Sequence, residues 1–82
     1  MYNSIHTAIV TNALRKEAER LHKPLSWFQY ATRHAKDGQY RFLANKEMQI
    51  ELLEQLAQKL KGKLPDLTTG QIVDMIAEIV NN

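Results

Sequence analysis

The chain has 82 residues, 44% of them hydrophobic and 24% charged, with a formal net charge of +2. This is the length of one domain and the composition of an ordinary globular chain, so a single domain over residues 1–82 is expected. The absence of cysteine excludes disulfides, thiolate metal ligands and cysteine nucleophiles.

No apolar run approaches the roughly 20 residues of a membrane span. The opening MYNSIHTAIVTN lacks a basic segment followed by a long apolar one. Both features point to a cytoplasmic protein with no membrane partner. The charge is uneven along the chain. Residues 1–46 carry eight Lys and Arg against three Asp and Glu, and residues 47–82 carry three against six. A basic first half suits a polyanionic partner.

Pro24, Gly38, Gly62 and Gly70 divide the chain into helix-sized pieces. In the first piece, Val10, Leu14, Ala18 and Leu21 share one helical face, whereas Ile5 and Ile9 fall off it. On a continuous helix Ile9 projects between Lys16 and Arg20. That predicts a break near Thr11–Asn12, two good N-cap residues. The β-branched run SIHTAIVT also suits a short strand, so residues 5–11 stand open between helix and strand, with helix preferred.

A second helix is predicted from Ser26. Ser26 and Gln29 have capping-box spacing, Leu25 and Tyr30 staple spacing, and Gly38 sits at a C-cap position. Trp27, Phe28, Tyr30, Ala31, His34 and Ala35 gather on one side, which reads as a core face. Gln29, Thr32, Arg33 and Lys36 gather on the other.

The third helix runs from Asn45 as N-cap to Gly62 just past its end. The fourth opens with a capping box at Thr68 and Gln71 and a staple of Leu67 with Ile72. Both present apolar arcs near half the circumference or wider, more than one packing partner covers. Either they are sandwiched in the core or they pair with a second copy. In so short a chain a homodimer is expected, through Leu52, Leu53, Leu56, Leu60, Ile72, Ile76 and Ile79. The fold class is therefore all-α: about four short helices, the last two forming core and dimer interface.

The stretch LRKEAERLHKPLSWFQYATRH resembles a helix-turn-helix unit, with Ala18 at the small-residue position, Leu21 and Phe28 at packing positions, and His22 at the usual turn glycine. Downstream, KDGQYRFLANKEMQIELLEQL resembles the wing and following helix of excisionase-like and MerR-like regulators. A competing resemblance is to ribbon-helix-helix proteins, over SIHTAIVTNALRKEAERLHKPLSWFQYATRHA. Both imply duplex DNA as the partner.

On that basis Gln29, Thr32, Arg33 and Lys36 are candidates for groove contacts, since such side chains suit base edges and phosphates. Arg15, Lys16, Arg20, Lys23 and Arg41 are candidates for phosphate contacts, with a slope of log affinity against log salt of about −4 to −5. The expected function is a small DNA-binding protein, a transcriptional regulator or architectural factor. The alternative is a helical protein–protein interaction module, such as an adaptor, antitoxin-like or phage-type inhibitor, using the apolar faces of the last two helices. No motif points to an enzyme, metal site or cofactor. Tyr40-Arg41-Phe42 suits either stacking on an unpaired base or packing against the third helix.

Overall fold

The structure, a computed structural model, describes residues 4–37 and 47–81. Four helices make up the described chain: α1 (Ser4–Leu21), α2 (Gln29–Asp37), α3 (Glu47–Lys63) and α4 (Thr69–Val80). A 3-10 turn at Leu25–Phe28 leads into α2, and no strand occurs among the described residues. The fold is all-α with four helices, as the apolar periodicity predicts. Gly38, the wing-like stretch around Arg41 and the Asn45 cap lie outside the described residues.

Helix α1 is continuous through Thr11 and Asn12, so the break and the strand alternative are both overturned. Val10, Leu14 and Ala18 are buried, and Ile9 and Leu21 pack partly against the same core. Burial of an aliphatic side chain contributes about 1.5–3 kcal/mol, against a few tenths lost to β-branching in a helix. Tertiary packing therefore outweighs local preference.

The helix ends in a Schellman turn. The Lys23 N–H donates to the Ala18 carbonyl at 2.9 Å, and the His22 N–H to the Glu19 carbonyl at 3.1 Å. His22 takes the left-handed position that this motif requires, at φ 57°. Pro24 follows at once, where a proline prevents the helix from continuing.

The predicted capping box at Ser26 does not form. The chain passes from extended Pro24 into the 3-10 turn with no side-chain cap. The Trp27 N–H donates to the Pro24 carbonyl at 3.0 Å instead. Phe28 is fully buried, and Trp27 packs edge-on against it, with ring centroids 5.1 Å apart and planes at 88°. The aromatic pair thus enters the core from the turn and not from α2. By contrast, the capping box at Thr68 and Gln71 is complete in both directions. Gly62 lies inside α3, and the helix stops beyond it, where Leu64 is buried and Pro65 follows.

Helices α3 and α4 pack against each other, and each also receives α1 and α2. The 3-10 turn touches all four helices. The wide apolar arcs are largely consumed inside this arrangement, Met48 at the start of α3 excepted. Leu53, Leu60, Ile72 and Ile76 are at most 1% exposed and Leu56 is 5% exposed. These five side chains belong to the chain's own core and are not free to meet a second copy, which corrects their assignment to an interface. Of the seven named, only Leu52 and Ile79 are half-buried, and Ile79 still packs on the core.

A methyl group added at Gly62 meets nothing within 4 Å. Gly62→Ala is expected to raise unfolding stability by about 0.5–1 kcal/mol. Thr68→Ala, which removes the α4 cap, is expected to lower it by about 1 kcal/mol. Urea unfolding followed by circular dichroism measures both; equal midpoints for the two variants would contradict this account of the helix ends.

Candidate functional site

Two of the four residues expected to read a DNA groove point inward. Thr32 is only 1% exposed. Its hydroxyl donates to the Gln29 carbonyl at 2.8 Å and accepts from the Asn81 amide at 3.4 Å. The Gln29 side-chain amide donates to the Val80 carbonyl at 2.6 Å. That carbonyl lies in the last turn of α4, where the helix leaves acceptors without an internal partner. The Asn81 amide serves the same turn, donating to the Ala77 carbonyl at 2.9 Å.

The polar side of α2 is therefore partly a clasp on the end of α4. Gln29 and Thr32 are corrected from groove readers to structural residues. Arg33 is exposed, while the side chain of Lys36 lies outside the described residues, as does Arg41.

The cations on α1 divide between two sides. Arg15 points away from the flank that holds Lys16 and Arg20, and Lys23 is exposed in the turn. Lys16 and Arg20 face α3, where they meet Lys59 and Lys63 across a groove. The floor is apolar: Ala13 from α1, with Leu56 and Leu60 from α3. The hollow holds about 220 Å³, and a second of about 270 Å³ adjoins it, walled by Ile9, Asn12, Ala13, Lys16 and Lys63.

Lys63 borders both hollows, whereas Leu56 and Lys59 border the one that reaches Arg20. Helix α3 therefore runs opposite to α1 along the groove. Glu17 is the single carboxylate in this lining. Its side chain is 12% exposed and pairs with Arg20, which donates to it from Nε at 3.0 Å. An i,i+3 pair of this kind contributes a few tenths of a kcal/mol in stability and orients the guanidinium. Lys16, Lys59 and Lys63 have no such carboxylate among the described residues. Three ammonium groups around one depression repel one another and make it attractive to an anion.

Lys59 and Lys63 were missed as site residues because they lie in the acidic half of the sequence. The signal was present in their spacing. Lys16–Arg20 and Lys59–Lys63 are each i,i+4 cation pairs on the flank of a helix beside its apolar arc. Among the described residues, no group of three or more His, Cys, Asp and Glu side chains gathers as a metal site. No described helix is long and apolar enough to cross a membrane.

If Gln29 holds the end of α4, Gln29→Ala is expected to cost about 1 kcal/mol of stability and to leave affinity for a polyanion unchanged. Urea unfolding and a duplex gel shift on the same preparation separate the two roles; an unchanged midpoint with weakened binding would return Gln29 to the reading face.

No family model matches the chain, and no curated protein and no solved structure matches it either.

Proposed function

We propose that this chain is a small binding protein for an anionic partner, acting without catalysis, and that the groove between α1 and α3 is where the partner is held. The observation that carries this is the convergence of Lys16, Arg20, Lys59 and Lys63 on one groove with a single carboxylate among them. Lysine stems are apolar and cover the floor of such a groove while their charged ends stand at its mouth. Those ends supply electrostatic steering and charge-assisted hydrogen bonds to carboxylates or phosphates.

A second reading keeps duplex DNA as the partner, as a regulator or architectural factor requires. It is favoured by Arg15, Lys23 and Arg33, which are exposed outside the groove and form a set of three phosphate-contacting cations. In this reading the contacts are mainly to the DNA backbone, because Gln29 and Thr32 are engaged in the fold. A homodimer is compatible with either reading and uses a surface other than the five buried side chains.

Two charge-reversal triples of equal net charge distinguish these readings: Lys16→Glu/Lys59→Glu/Lys63→Glu in the groove, and Arg15→Glu/Lys23→Glu/Arg33→Glu outside it. All six side chains are exposed, so both triples are expected to fold, with circular dichroism as the check. On an immobilised sulfated polysaccharide column, the groove triple is expected to elute at clearly lower salt than the other. Duplex binding by the wild type is expected to show a slope of log affinity against log salt near −3. Equal elution of the two triples, or earlier elution of the outer one, would remove the groove as the site.

A further inference from the structure

Phosphates make no use of an apolar floor, and the apolar surface here extends beyond the cations. Among the described residues, Ile5 and Met48 are the two exposed large hydrophobic side chains, at 67% and 69%. Each stands eleven residues before a groove lysine, Ile5 before Lys16 and Met48 before Lys59. Eleven residues is close to three helical turns, so each lies on the same flank as its lysine.

Because α1 and α3 run oppositely, Ile5 and Met48 extend the groove in opposite directions. Ile9 and half-buried Leu52 fill the intervals. The resulting strip is apolar at both ends, and in its centre cations line an apolar floor. From Ile5 to Arg20 it spans about 22 Å along α1, or four turns of helix.

We infer that the groove receives an acidic amphipathic helix of another protein. Its apolar side chains lie on half-buried Ile9, Ala13 and Leu52 and on the Ile5 and Met48 ends, and its Asp and Glu residues pair with Lys16, Lys59 and Lys63. This rests on the reading of the groove as an anionic partner's site and names that partner. Charge complementarity selects the acid; exposed Ile5 and Met48, with half-buried Ile9, Ala13 and Leu52 between them, select a helix with an apolar stripe at i, i+3, i+4 and i+7. A second copy of this chain is a poorer occupant. The acidic side of its own α3, with Glu51 and Glu54 exposed, has no apolar stripe to offer, since Leu53, Leu56 and Leu60 are already buried.

The test uses fluorescence anisotropy with three probes. One is a designed peptide of about 18 residues, with leucines on one helical stripe and glutamates elsewhere. Another is its scramble, with equal charge and no stripe. The last is a mixed-sequence duplex. The wild type is expected to prefer the striped peptide to the scramble by about tenfold, and Lys16→Glu/Lys63→Glu to weaken it by about tenfold. Ile5→Ser/Met48→Ser leaves every charge in place and changes only exposed side chains; it is expected to weaken the striped peptide about fivefold and the duplex not at all.

Equal binding of stripe and scramble, or a serine variant indistinguishable from wild type, overturns the helix proposal while leaving an anionic partner standing. Indifference of all three probes to Lys16→Glu/Lys63→Glu overturns both. Sedimentation of the wild type as a dimer that Lys16→Glu/Lys63→Glu dissociates overturns the proposal in favour of a second copy.

Discussion

Two helices too apolar to lie at a surface dictate the architecture. α3 and α4 each carry apolar residues around half their circumference or more, so packing against one another leaves much of that surface wet. α1 and α2 remove most of the remainder from water by lying on the α3–α4 pair, and the aromatic turn between them plugs the junction of all four helices. Each of the largest core side chains, such as Leu53 or Ile76, contributes an amount comparable with a fair share of the net stability of so small a domain.

The groove is the boundary of that coverage. α1 meets α3 along a line where its own side chains become small and polar, at Ala13 and Glu17, so the helices part instead of sealing. Lysines on either side reach over the gap with their methylene stems and hold their charge in solvent. Charge and apolar surface are thereby joined in one place, a combination that neither the core nor an ordinary solvated face requires.

Much of the fold was legible in the sequence. The apolar periodicities of the last two helices, the Thr68–Gln71 box and the core face at Val10, Leu14 and Ala18 all depend on local spacing, and all three are found. What was not legible depends on distant partners. Gln29 has the right spacing to cap its own helix, but its amide goes to Val80, 51 residues away. The break expected at Thr11–Asn12 assumed that Ile9, off the apolar face of a continuous helix, had no place in the core, yet it packs partly against the core. The arcs read as a dimer surface because no count of residues reveals how many helices of the same chain will cover them. The site was half legible: Lys16 and Arg20 were named, whereas Lys59 and Lys63 join them only once α3 is folded back along α1.

The link from α2 to α4 also has a kinetic meaning. The helix that follows the aromatic turn is anchored by a carbonyl contributed almost at the end of the described chain, so during synthesis it waits unanchored until those last residues have left the ribosome. Local helices form early and cheaply, but closure of this long loop comes late. The domain thus acquires its final packing only after translation of α4, and a ribosome stalled before that helix holds a chain whose aromatic pair lacks the α4 side of its enclosure.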